Sequence, residues 1–182
     1  MRKRNLNKDQ ISDFAFQYSI KNGWQSLNLK LIAEHFEIKT PSLYNHIENL
    51  DELILELAAI TLEELGKSLA KSIQGISGAE AINELSQAYR KFAKSHRGVY
   101  DLTIQAPSGH VRHEKASIEL LEILFSVLRN KSKKEKIHNI RILRSSLHGF
   151  VSIELGKGFG LPTDIEETFK RMIEILVLQM EL

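Results

Sequence analysis

The chain has no cysteine. Disulfides, thiolate nucleophiles and cysteine-based zinc sites are excluded together, and a secreted disulfide scaffold with them. Three prolines and ten glycines in 182 residues leave no room for a low-complexity linker. No apolar run approaches the roughly 18 residues that span a bilayer. The segment after Met1-Arg2-Lys3-Arg4-Asn5 is polar and amphipathic where a signal peptide needs an apolar core, so a cytoplasmic location is expected. Alternation of β-branched residues is also missing, which points to an all-α chain. Net charge is only +2. That surplus lies wholly within residues 1–50, with Arg2, Lys3 and Arg4 as a basic arm, and such an arm suits a polyanion.

What is present is helix. A capping residue followed three positions later by Glu or Gln recurs at Asn7/Gln10, Asn49/Glu52, Ser77/Glu80, Ser132/Glu135 and Thr163/Glu166. Each pair precedes an apolar-periodic segment, as helix starts do. The first helix is expected over about 8–22, ending at Gly23, with Ile11, Phe14, Ala15, Tyr18 and Ser19 inward. A longer helix starts near Leu50 and carries the boundary between a head (residues 1–50) and a body (51–182). The body reads as helices over about 78–95, 109–129, 134–155 and 164–181, with one or two turns near Val99 to Ile104, giving about nine helices in all. In the 109–129 segment the expected inner stripe is Ile118, Leu121, Leu124, Phe125 and Leu128. The last two helices have wide apolar faces. Ile140, Leu143, Val151, Ile165, Phe169, Met172, Ile173 and Leu176 are expected to pair with a second copy in a four-helix homodimer interface.

The most informative stretch runs from Leu29 to Ile47. It reads as two short helices joined by a tight turn. Ile32, Ala33 and Phe36 face inward on the first. Pro41 suits a first helical position, having no N–H to leave unbonded. Leu43 and Ile47, four residues apart, share the buried face of the second helix. Thr40, Ser42, Tyr44, Asn45 and His46 are left for other faces, with no acid before Glu48. A short helix exposing hydroxyls, an amide and an imidazole is suited to the groove of double-stranded DNA, in the manner of a helix-turn-helix.

Leu31-Ile32-Ala33-Glu34, followed by Pro41-Ser42-Leu43-Tyr44-Asn45-His46-Ile47 and then by Glu48-Asn49-Leu50-Asp51-Glu52-Leu53-Ile54, resembles the DNA-binding head of TetR-type bacterial regulators. Ser146-Leu147-His148-Gly149-Phe150-Val151 is similar to the C-terminal domain of the subfamily named for a Trp-His-Gly motif, with Leu147 where that motif has tryptophan. The resemblance implies an all-helical homodimer: a three-helix head on a helical ligand-binding and dimerisation body. It implies recognition helices in successive major grooves of a palindromic operator, and repression relieved by a small-molecule effector. It assigns DNA contact to Lys30, Thr40, Pro41, Ser42, Tyr44, Asn45 and His46. Asn28 caps the helix that offers N–H groups to a phosphate. Tyr89, Phe92, Tyr100, Leu121, Phe125, Leu147, His148 and Phe150 are the candidates for a ligand cavity. Two positions depart from the family pattern. Glu37 stands where a turn glycine is usual, which requires a strained backbone or a shifted turn. Leu50 stands where a phosphate-binding lysine is common.

Other readings stay open. Phe92, Tyr100, Phe125 and Phe150 fill the core or line a cavity, and His148 is a satisfied core histidine or a ligand group. His110 and His113 have helical i,i+3 spacing, but only Glu114 is placed to join them, so no metal is expected. No Ser/His/Asp context supports an enzyme, and Gly156-Lys157-Gly158-Phe159-Gly160 lacks the strand and spacing of a phosphate cradle. No cofactor is expected. The alternative to a ligand-responsive regulator is a helical dimeric interaction protein that acts through protein partners, with weak or lost DNA reading.

Overall fold

Asn7 opens the first helix as its spacing from Gln10 requires. Its side chain accepts the Gln10 N–H at 2.9 Å, and Gln10 Oε1 accepts the Asn7 N–H at 3.2 Å, a complete capping box. In the computed structural model, which describes residues 6–105, 109–128 and 131–181, α1 spans Lys8–Asn22 and ends at Gly23 with φ 83°. A 3-10 turn (Trp24–Ser26) follows, then α2 (Leu29–His35), α3 (Thr40–Leu43), α4 (Leu50–Ser72) and α5 (Gly78–Ser95). A second 3-10 turn (Tyr100–Ile104) leads to α6 (Val111–Ser126), α7 (Lys133–Leu155) and α8 (Ile165–Gln179). Among the described residues there are eight α-helices and no strand, and none of the helices is long and apolar enough to cross a membrane. The basic arm Arg2-Lys3-Arg4 and the expected end of the 109–129 helix at Arg129 lie outside the described residues.

The chain forms two compact units, one of residues up to 64 with 95–117, the other of 65–94 with 118–182. The division falls inside α4 at residue 64, and not at residue 50. The reason is packing: Leu53, Leu57, Ala58 and Ile60 of α4, with Val99 and Leu102, belong to the same core as Ile11, Ala15, Phe16, Leu27, Ile32, Leu43 and Ile47. On α1 the buried aromatic is Phe16, while Phe14 and Tyr18 are half-buried. Phe14 stacks on His35 of α2 with ring centroids 3.7 Å apart, and it meets Phe36 edge-on at 5.7 Å.

This first unit also holds a charged cluster. Glu56 is 6% exposed and faces Arg112, Lys8 and His110. Arg112 forks onto Glu63 with both bonds at 2.7 Å, and Lys8 pairs with Glu52. Buried carboxylates persist only when paired in this way. The hydrogen bonds to Glu63 hold the Arg112 guanidinium firmly protonated, and the bond to Glu52 raises the Lys8 ammonium above its ordinary value. At the end of α1, Trp24 N–H donates to the Gly98 carbonyl at 3.0 Å. The Trp24 indole N–H points between the two Asp101 oxygens at 2.9 and 3.0 Å.

In the second unit, Arg90 is 4% exposed. Its guanidinium reaches Glu154 of α7 through Nε at 2.8 Å and Nη2 at 2.6 Å, and Glu166 of α8 through two bonds of 2.7 Å. It also lies over the rings of Phe169 (4.7 Å) and Phe150 (5.7 Å). One side chain therefore ties α5 to α7 and α8. Two local expectations are corrected here. On α6 the inward stripe is Ala116, Leu120, Leu124, Val127 and Leu128, while Ile118 (58%) and Leu121 (39%) are exposed; the stripe is rotated, because Ala116 and Leu120 set its phase. α8 is capped by the Asp164 side chain, which accepts the Glu166 N–H at 2.9 Å, and not by Thr163.

Candidate nucleic-acid interface and body cleft

The reading segment is held by its apolar side. Leu43 is fully buried and Ile47 is 3% exposed. Asn28 caps α2 by accepting the Leu31 N–H at 3.0 Å. Between α2 and α3 the chain turns at Glu37, whose φ of 55° is in the left-handed region. The unusual residue in the glycine position therefore bears the strain, of about 1 kcal/mol, and does not shift the turn. The turn is stitched by Ile38 N–H to Ala33 O at 3.0 Å and Glu37 N–H to Glu34 O at 3.2 Å. α3 is one turn; Tyr44 beyond it keeps helical angles (φ −66°, ψ −8°), and the chain continues in turns, with His46 N–H to Leu43 O at 2.8 Å and Ile47 N–H to Leu43 O at 3.0 Å.

This anchoring leaves the other side of the segment outside. Tyr44 is 56% exposed. Pro41 and Asn45 are exposed, and Thr40, Ser42 and His46 are half-exposed. The Lys30 side chain is 82% exposed and pairs with Glu34 at 3.8 Å. Lys39, the exposed N-cap residue of α3, adds a cation at the start of this segment that the sequence pattern did not single out. Its position before Thr40-Pro41 was the available signal. Leu50 instead packs half-buried against the head's core.

The expected dimer residues are placed differently. Ile140, Leu143, Val151, Phe169, Ile173 and Leu176 are at most 7% exposed within their own subunit, and Ile165 and Met172 are half-buried. They form the body's core. The apolar surface of these helices is instead Ile142 (52%) and Ile153 (46%) on α7, and Ile175 (60%) and Leu178 (75%) on α8. Gly149 lies at helical spacing between the first two, with open space where a Cβ would be.

Of the expected cavity residues, Tyr89, Phe92, Tyr100, Leu147 and Phe150 are buried, Phe125 and His148 are half-buried, and Leu121 is on the surface. Tyr100 belongs to the first unit and the others to the second. His148 Nε2 lies 3.3 Å from Ser152 Oγ. Among the described residues, one cleft in the second unit has a volume of about 450 Å³ and is lined by Phe150, Gly158, Phe159, Gly160, Leu161, Thr163, Ile165 and Thr168. Only Phe150 was anticipated there. The remaining wall comes from the α7–α8 loop (Gly158 to Thr163), where no helical period marks which residues turn inward, and from Ile165 and Thr168 in the first turn of α8.

His110 and His113 do not assemble with Glu114. Glu114 accepts the Gly109 N–H at 3.0 Å, and His110 Nδ1 accepts the His113 N–H at 3.3 Å. Nε2 of His110 lies 3.5 Å from Glu56. Glu52, Glu56 and His110 do bring donor atoms within 4.8 Å of one another, and Lys8 and Arg112 already neutralise these carboxylates.

Residues 82–176 match the family model described as tetracyclin repressor-like, C-terminal domain. The chain is 30% identical over 166 residues to the HTH-type transcriptional regulator YobS of Bacillus subtilis (strain 168), an overlap of 90% of this chain and 86% of that one. Two solved structures share the fold. TetR-Q116A from Acinetobacter baumannii AYE in complex with minocycline has TM-score 0.74 at 18% identity, covering 97% of both chains. ActR of Streptomyces coelicolor in complex with actinorhodin has TM-score 0.69 at 16% identity, covering 96% of both chains.

Proposed function

The chain belongs to the TetR family of transcriptional regulators, and from that membership and the geometry of the head we propose a cytoplasmic, homodimeric repressor released from a palindromic operator by a small molecule. The observation that carries the proposal is the outward presentation of Thr40 to His46 on a segment whose Leu43 and Ile47 are sealed inside. Tyr44 then lies on backbone phosphate or a thymine methyl. Thr40, Pro41 and Ser42 approach base edges, Asn45 meets an adenine edge, and Lys30, Lys39 and His46 face phosphates. A second copy joins through the stripe of Ile142, Gly149 and Ile153 with Ile175 and Leu178, an apolar face that is otherwise left to water. Ligands on the same fold in ActR and TetR-Q116A support an effector in the body. Such a ligand shifts the protein off DNA only by binding the non-reading geometry more tightly.

The test is fluorescence anisotropy with a two-fold fragment of the chain's own promoter across a salt series. Affinity should fall steeply with salt, and Tyr44→Ala should weaken it by about tenfold, equivalent to about 1.4 kcal/mol. Absence of binding at low salt would refute the proposal. Promoter occupancy unchanged by Tyr44→Ala would favour the reading in which the protein acts through partners.

A further inference from the structure

We propose that the α7–α8 cleft binds a neutral aromatic molecule of about two fused rings, and that this is the effector site. The second half of that statement rests on the regulator reading above; the first rests on the cleft alone.

The volume, about 450 Å³, is within the roughly 300–1,000 Å³ of small-molecule sites. Its walls choose the chemistry. Phe150 and Phe159 stand with ring centroids 4.9 Å apart and planes tilted by 45°, so they offer a face and an edge to a third ring. Leu161, which is 82% exposed, and the half-buried Ile165 add aliphatic surface, and Gly158 and Gly160 complete the lining. Thr163 and Thr168 supply hydroxyls for one polar edge. Thr168 already donates to the Asp164 carbonyl at 3.0 Å, so its oxygen is left to accept.

No residue lining the cleft is ionisable. The charge behind its wall, Arg90, is consumed by Glu154 and Glu166, and the Asp164 carboxylate caps α8. A charged ligand would give up hydration and find no counter-charge, so a neutral one is selected. The cleft is also coupled to the fold. Phe150 lines the cleft, and the Arg90 guanidinium lies 5.7 Å from its ring centroid. A ligand that moves this ring acts on the side chain that ties α5 to α7 and α8.

Gly160 gives a clean block. A Cβ there meets nothing within 4 Å, and its φ is outside the left-handed region. Gly160→Trp should therefore fill the cleft without disturbing the fold, and Gly160→Ala should leave it open. Isothermal titration of the full chain with 2-naphthol and with its anionic analogue 2-naphthoate reads the site. The expected result is saturable uptake of one 2-naphthol per protomer and binding of 2-naphthoate at least tenfold weaker. Gly160→Ala should bind 2-naphthol like the parent, and Gly160→Trp should lose it with an unchanged far-UV spectrum. Absence of saturable uptake, uptake indifferent to Gly160→Trp, or equal affinity for the anion would overturn the proposal. So would loss of dimerisation by Gly160→Trp together with absent uptake, since a second copy would then be the occupant. Operator binding measured beside these titrations separates the two readings: its failure removes the regulator and leaves the naphthol result standing.

Discussion

Gly98 is where one methyl group should do most damage to the head. A Cβ built at this position lies 2.0 Å from the Ser19 carbonyl oxygen, 2.8 Å from that of Ile20 and 2.9 Å from the Gly23 nitrogen, where ordinary contact begins at 3.4 Å. All three are backbone atoms at the end of α1, so no side chain can swing aside. Either α1 retreats or the Gly98 loop does. Retreat breaks the Trp24 N–H to Gly98 O bond of 3.0 Å and slackens the indole bonds to Asp101 at 2.9 and 3.0 Å. Overpacking of this kind costs about 1–3 kcal/mol, and the lost backbone bond about 1 kcal/mol. Gly98→Ala should therefore destabilise the first unit by about 3 kcal/mol and lower its Tm by roughly 12–24 °C. Trp24 is the sole tryptophan, so its emission reports this joint. The melt followed by tryptophan should move further than the melt followed by far-UV circular dichroism, and operator affinity should fall because α1 carries the Phe14 ring that stacks on His35 of α2. A variant that melts within about 2 °C of the parent on both signals would refute the reasoning.

Glu37→Gly should relieve the left-handed turn at φ 55°, adding up to about 1 kcal/mol of stability. By removing an acid beside the reading segment it should also tighten operator binding, more at low salt than at high, as anisotropy would show. Arg90 hydrogen bonds hold the Glu154 carboxyl below the usual carboxylate range. Its contribution is therefore complete above the ordinary carboxylate pKa and lost as pH falls through the lowered one. Arg90→Met should cost about 3 kcal/mol at pH 7, and the gap to the parent in thermal melts should narrow as pH falls below the ordinary carboxylate range. Ile175→Asp with Leu178→Asp should give a folded monomer by sedimentation equilibrium, with near-parental circular dichroism and much weaker operator binding; a dimer that survives both changes would place the interface elsewhere.

The head was legible in the sequence because its signals are local. The Asn7/Gln10 box, the Gly23 stop, Pro41 at the start of α3 and the Leu43/Ile47 pair each act within one helical turn. At Glu37 the sequence left a strained backbone or a shifted turn open, and the φ of 55° is the first of these. Long-range facts were not. Periodicity showed that α7 and α8 have apolar faces, but a stripe that buries in its own subunit looks the same as one that buries in a partner. Ile140, Leu143 and Phe169 were thus assigned outward, although they are core. On α6 the choice between the Leu121 and Leu120 stripes turned on small Ala116, which a count of large apolar residues undervalues. Arg90 lies on the apolar face of an amphipathic helix, and its partners Glu154 and Glu166 are 64 and 76 residues away. The cleft wall from Gly158 to Thr163 has no period to read.

Hydroxyl-radical footprinting of the protein on its own promoter decides whether two copies of the Thr40–His46 segment read DNA together. The expected pattern is two protected patches on one face of the duplex, centred about one helical turn apart, roughly 10 base pairs, related by two-fold sequence symmetry and both erased by Tyr44→Ala. A single patch, or paired patches that persist unchanged in Tyr44→Ala, would contradict it.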